Sequence, residues 1–93
     1  MRAVKAFCEI KGCLVYHTRD SRGSDEGFPD LVIAREDLGV LYRETKTLTG
    51  RLTKAQRRWI ETLTAAGADA AVWTPSSWPE IEDTIGGVRR GRI

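Results

Sequence analysis

Ninety-three residues are enough for one compact domain and too few for two, so the chain is read as a single domain, 1–93, with a thin core that a second copy can reinforce. Hydrophobic residues at 41% and charged residues at 30% give an ordinary globular balance and exclude a disordered or fibrous chain. No apolar run approaches bilayer length, and the charged start from Met1 to Phe7 is no secretory signal, so a cytoplasmic protein away from membranes is expected.

The net charge of +2 understates how the basic residues cluster. Lys54, Arg57 and Arg58 fall within two turns of one predicted helix, Arg19 and Arg22 share a loop, and Arg89, Arg90 and Arg92 crowd the end. Such clusters suit a phosphate backbone, and equally a solvated basic face. In a reducing compartment Cys8 and Cys13 are expected as free thiols at a helix–strand corner. The competing use, Cys8, Cys13 and His17 as metal ligands, offers only three ligands at an unusual spacing.

In chain order, residues 2–11 read as a short helix closed by Gly12. Residues 13–17 form a first strand, 18–27 a polar loop and 29–34 a second strand, with Pro29 at its start where a missing N–H does least harm. A turn over 35–39 leads into a third strand, 40–46, as an antiparallel hairpin. Thr53-Lys54-Ala55-Gln56 is a capping box opening a helix to about residue 66, ended by Gly67. A fourth strand, 70–74, follows as a parallel crossover. Ser77-Trp78-Pro79-Glu80 predicts a second capping box and a last helix to about residue 85, leaving 86–93 as a flexible basic tail. The order α-β-β-β-α-β-α predicts an α/β fold, a mixed sheet of about four strands flanked by helices.

Alternation along the third strand places Val40, Tyr42, Glu44 and Lys46 on one face, and Leu41, Arg43 and Thr45 on the other. Glu44 and Lys46 are then neighbours about 7 Å apart at Cα on a face that a helix covers, where charges are costly unless paired or used. Asp30 enters from the start of the adjacent strand and can converge on Glu44. Two carboxylates and a backbone carbonyl, that of Thr45, make a hard oxygen site suited to Mg²⁺. A lysine beside it can position or activate water and stabilise a pentacovalent phosphate, which completes a kit for phosphodiester hydrolysis. The bland alternatives are a solvated ion pair for Glu44–Lys46 and a turn role for Asp30. Gln56 lies in the apolar stripe with Trp59, Ile60 and Leu63 and points at the sheet. It either closes the cap on Thr53 or bonds the lysine or a substrate phosphate. Trp59, Trp73 and Trp78 are at core spacings, and His17 is a weak candidate for substrate contact.

Together LVYHTRDSRGSDEGFPDLVI, YRETK, GRLTKAQRRWIETLTAAGA and AVWTPSSWPEIEDTI resemble the virus-type replication-repair nuclease (VRR-NUC) domains of the PD-(D/E)xK nuclease superfamily, in particular the stand-alone phage type. By that resemblance Asp30 and Glu44 would hold the metal, Lys46 would be the catalytic lysine and Gln56 the helix glutamine. The resemblance also implies Mg²⁺- or Mn²⁺-dependent homodimers that cut structured or branched DNA. It further implies a glutamate about a dozen residues before the first strand, to which nothing here corresponds, since Glu9 is too close. Either an upstream start or a reduced ligand set is expected. The leading expectation is therefore a metal-dependent DNA endonuclease. The alternatives are another nuclease of the superfamily, a catalytically weak DNA-binding module, or a subunit of a repair or replication complex.

Overall fold

The computed structural model describes residues 2–18 and 25–86, which run α1 (Arg2–Ile10), β1 (Leu14–His17), β2 (Leu31–Arg35), β3 (Gly39–Thr45), α2 (Lys54–Ala65), β4 (Asp69–Trp73) and α3 (Trp78–Ile81). A 3₁₀ turn, Pro75–Ser77, precedes α3, and a π-helical turn, Glu82–Gly86, follows it. The sheet order is β1-β2-β3-β4, with β1/β2 and β2/β3 antiparallel and β3/β4 parallel. The mixed four-stranded sheet is the one the sequence predicts, with boundaries shifted by one or two residues.

Local chemistry explains the punctuation. α1 ends where Cys13 N–H reaches back to Cys8 C=O at 2.9 Å around Gly12, whose φ of +90° a side chain disfavours. α2 begins at Thr53, whose hydroxyl accepts from Gln56 N–H while the Gln56 side chain accepts from Thr53 N–H, the reciprocal box read from the sequence. The second predicted box does not form. Ser77 Oγ accepts instead from Thr74 N–H at 3.0 Å, because Pro75 starts the helical path three residues early, and Glu80 accepts from Trp73 Nε1 at 3.3 Å.

The two sheet faces differ in kind. Paired residues share a face, so Ile33 and Leu41, with Leu31 and Trp73, point toward α1 and α3. There they join Val4, Cys8, Cys13, Ile81 and Ile85 in the apolar core. Arg43 is buried on this face, its guanidinium 4.8 Å from the Trp73 ring centroid and bonded to Asp69. α2 covers part of the opposite face, where Trp59 meets Phe28 and Phe28 meets Tyr42 edge-on. Beyond α2 that face is bare: Leu14, Tyr16 and Val40 are 79%, 60% and 48% exposed. Among the described residues, no helix is long and apolar enough to cross a membrane.

Cys8 and Cys13 are free and buried, and burial first, then the neighbouring Cys13, pushes the Cys8 thiol up to about 12. No cluster of three or more His, Cys, Asp or Glu side chains gathers among the described residues, so Cys8, Cys13 and His17 make no metal site. Beside the thiols, Arg35 grips Asp37 through Nε at 2.6 Å and Nη2 at 3.1 Å, and Nη1 donates to the Lys11 carbonyl at 2.7 Å. This fork joins the β2–β3 turn to the end of α1, with both side chains at most 10% exposed. Removing one member of such a buried pair strands the other. Arg35→Met is expected to cost about 3 kcal/mol, read as a drop of at least about 10 °C in Tm. A drop of only a degree or two in thermal denaturation would mean the pair carries little of the fold.

Candidate functional site

The site forms where β2 begins and β3 ends. Asp30 immediately precedes β2, and its Oδ2 accepts from both Thr45 N–H at 3.0 Å and Thr45 Oγ1 at 2.9 Å. A residue in extended backbone sends its N–H and C=O to the same side, so the Thr45 carbonyl lies toward Asp30 as well. The stretch ahead of Asp30 is fixed by Thr18, which donates its hydroxyl to Pro29 C=O at 2.8 Å and its N–H to Asp30 C=O at 2.7 Å. Glu44 stands on the α2 face of β3 and is only 3% exposed. Its Oε2 accepts from Gln56 Nε2 at 3.0 Å and lies 3.9 Å from Lys46 Nζ, while its Oε1 is buried without a hydrogen-bond partner.

Gln56 closes the expected cap on Thr53, but its second partner is not the expected lysine or phosphate. Its amide oxygen is engaged by the Thr53 cap, which fixes the flip of the amide and aims Nε2 at the sheet. The partner it meets there is the carboxylate of Glu44. Asp30, Glu44, Lys46 and Gln56 are thus brought together. Lys54, Arg57 and Arg58 are exposed on the first two turns of α2, the end that carries Gln56. His17 is exposed at the end of β1 and pairs with Leu31, which puts it on the sheet face opposite Glu44. Arg19, Arg22, Arg89 and Arg90, with the rest of the basic tail from 87 on, lie outside the described residues.

Two contributors escaped the sequence. The Thr45 hydroxyl reaches Asp30, although alternation assigns Thr45 to the far face from Glu44; at the strand end the side chain can turn toward the neighbouring loop. The segment Glu26–Phe28 leans on α2, with Trp59 Nε1 donating to Glu26 C=O at 3.1 Å. The glycine in Gly27-Phe28-Pro29-Asp30 was the available signal.

The family model of the VRR-NUC domain matches residues 3–76. The chain belongs to the VRR-NUC family. Comparison with curated proteins gives no match. Among solved structures, the chain is similar to a VRR-NUC domain protein, 25% identical over 80% of this chain and 68% of that one, with a TM-score of 0.61. It is also similar to a VRR-NUC domain, 23% identical over 88% and 85%, with a TM-score of 0.69. A third likeness is to Hjc of Archaeoglobus fulgidus, a Holliday junction resolvase from an archaeal hyperthermophile. It is 21% identical over 80% of this chain and 64% of that one, with a TM-score of 0.56. The last two likenesses concern the fold: a mixed sheet flanked by helices.

In this VRR-NUC chain the electrostatics of the pair are set by burial. Burial pushes the Glu44 carboxyl up from 4.5 to about 7, the neighbouring Asp30 charge adds to the rise, and the Lys46 ammonium pulls against both. Between pH 4.5 and 7 the folded protein holds a proton that the unfolded chain has released, so stability falls as pH rises through that interval. Glu44→Gln removes the charge and keeps an oxygen to accept from Gln56 Nε2. In chelator-treated protein at pH 8 it is expected to raise stability by on the order of 2 kcal/mol, a gain that fades toward pH 4.5. Denaturant melts at both pH values measure it, and an equal effect at both would mean that the charge of Glu44 is not what costs stability.

Proposed function

We propose that this protein is a divalent-metal-dependent nuclease that hydrolyses DNA phosphodiester bonds, preferentially in branched DNA. The observation that carries the reading is a buried carboxylate beside a half-buried one and a lysine on a VRR-NUC fold: Glu44 Oε1 has no partner, Asp30 adjoins it, and Lys46 Nζ stands 3.9 Å from Oε2. Pro29-Asp30, then Glu44-Thr45-Lys46, follows the PD-(D/E)xK order. The branched-DNA preference draws on the Holliday junction resolvase among the structural neighbours.

The residues fit a hard cation. Two adjacent carboxylates face one ammonium in a shielded site, which leaves negative charge uncompensated, and an orphaned buried oxygen is the atom such an ion would satisfy. Asp30 and Glu44, with the Thr45 carbonyl, would hold Mg²⁺ or Mn²⁺. The ion would supply Lewis-acid polarisation of the phosphate and a more acidic water. Gln56 keeps Oε2 of Glu44 occupied, so Oε1 would be the oxygen left to hold the ion. Thr45 does the same for Asp30 by holding Oδ2. Lys46 places its ammonium at the scissile phosphate, where it orients water and stabilises charge as the new P–O bond forms and the bridging P–O bond breaks. Lys54, Arg57 and Arg58 contact flanking phosphates, with His17, Arg19, Arg22, Arg89 and Arg90 as further contacts.

Cleavage of linear, nicked and four-way DNA with Mg²⁺, Mn²⁺ or EDTA tests the reading. Lys46→Ala is expected to lower the rate by about 10²–10³ and to leave DNA affinity nearly intact, because affinity is spread over many basic contacts. Asp30→Asn is expected to weaken Mn²⁺ binding in calorimetry, since hard cations favour charged oxygens. A Lys46→Ala enzyme that keeps more than about a tenth of the rate removes the lysine from the mechanism.

The finer reading includes a homodimer. The exposed apolar side chains of Leu14, Tyr16 and Val40 support it, because a second copy would remove that area from water. Sedimentation equilibrium at micromolar concentration is expected to give twice the chain mass, and a single-chain mass would refute it.

A further inference from the structure

We propose that Gly27 is a positioning residue: by having no side chain it lets the segment leading to Asp30 rest directly on the first turn of α2. One helical turn then sets the placement of both carboxylates. The proposal rests on the nuclease reading above for its consequence in metal binding, and on geometry alone for the placement.

The contact is between backbones. A Cβ built on Gly27 would stand 2.5 Å from the carbonyl carbon of Ala55 and 2.7 Å from its oxygen and its Cβ. Real carbon atoms do not approach so closely, and the atoms met are mostly main chain of a capped helix, which cannot swing aside. Ala55→Gly would remove only one of the three contacts. Ala55 is also the residue before Gln56, whose Nε2 holds Glu44 at 3.0 Å. Around Gly27 the segment is clamped twice more, by Trp59 Nε1 on Glu26 C=O at 3.1 Å and by the Trp59 ring on Phe28 with centroids 5.0 Å apart. Three residues after Gly27, Asp30 gives Oδ2 to Thr45 N–H and Oγ1. Lifting the loop from α2 would therefore pull Asp30 against its bonds from Thr45 and the Thr18 bonds behind it.

Gly39 provides a matched control. It has the same positive φ, +81° against +89° for Gly27, but a Cβ there meets nothing within 4 Å. Gly27→Ala and Gly39→Ala thus share the backbone strain and differ in the collision. The Thr45 amide reports Asp30 placement without any assumption about activity, by hydrogen exchange in ¹⁵N-labelled protein. Gly27→Ala is expected to speed that exchange at least about tenfold and to weaken Mn²⁺ binding by about tenfold or more. Gly39→Ala should lower Tm yet keep both values within about twofold of the wild type. If Gly27→Ala does not fold, Trp59→Phe keeps an aromatic ring toward Phe28 while removing the N–H to Glu26 together with part of the indole's contact area. It is expected to move amide exchange and Mn²⁺ affinity together by a smaller factor. Wild-type values of both readouts in Gly27→Ala, or in Trp59→Phe where that is the variant that folds, would overturn the proposal. A wild-type protein that binds no Mn²⁺ would instead sink the nuclease reading, and the Thr45 amide would still decide on Gly27.

Discussion

The structure turns on keeping one carboxylate, that of Glu44, under a helix. A side chain 3% exposed cannot recover in water what it loses by burial, so its surroundings must answer for each oxygen. Gln56 answers for one of them, and it can do so only because α2 starts where it does. Thr53 fixes the first turn, the first turn fixes the amide, and the amide fixes the spacing between helix and sheet at this end. A cap that would ordinarily be a local device thereby becomes a tertiary one. The same turn carries Ala55, against which Gly27 lies, so the loop bearing Asp30 takes its placement from the same origin.

β3 supports this by dividing its labour between faces. Leu41 and Arg43 point into the layer with α1 and α3, where the apolar core lies, and Tyr42 and Glu44 point toward α2. Concentrating the core on one side leaves the other side free for groups that reduce stability. Arg43 is a partial exception. It is buried on the core face, bonded to Asp69 and set against Trp73, with its Nε lacking a partner. Adjacent residues Arg43 and Glu44 thus carry opposite charges into opposite faces of one strand, and each leaves one polar atom unpaired.

How far this is legible in the sequence depends on the range of the interaction that decides it. The strands, the hairpin and α2 were readable because alternation, Gly67 and the Thr53–Gln56 box are local signals that the fold leaves in force. Convergence of Asp30, Glu44 and Lys46 was readable because hairpin pairing and alternation together dictate it. The Ser77–Glu80 box was misread because Pro75 pre-empts it three residues earlier and Glu80 is drawn to Trp73 by a tertiary contact. The Thr45 hydroxyl was missed because alternation describes a strand's middle and fails at its end. The docking of Gly27 on Ala55 was not visible at all, since only the folded chain brings residues 28 positions apart into contact.

These features connect stability to the proposed chemistry. A carboxylate buried under a helix, with a second carboxylate beside it, destabilises the fold at neutral pH. The upward displacement of Glu44 to about 7, driven first by burial and then by the Asp30 charge, expresses this. On the proposed reading, a cation entering such a site would relieve the repulsion and satisfy an orphaned oxygen in addition to forming its own bonds, and so would bind more tightly than at relaxed, solvated carboxylates. The instability is useful only if the carboxylates cannot escape it by moving apart. Glu44 is held by Gln56, Asp30 by Thr45, and the loop behind Asp30 by Trp59 and the bare backbone of Gly27. Each of these restraints raises the cost of the empty site and leaves the filled one unstrained. On this account the residues around the carboxylates would contribute to the proposed metal affinity by refusing to relax, although none of their side chains would touch the ion.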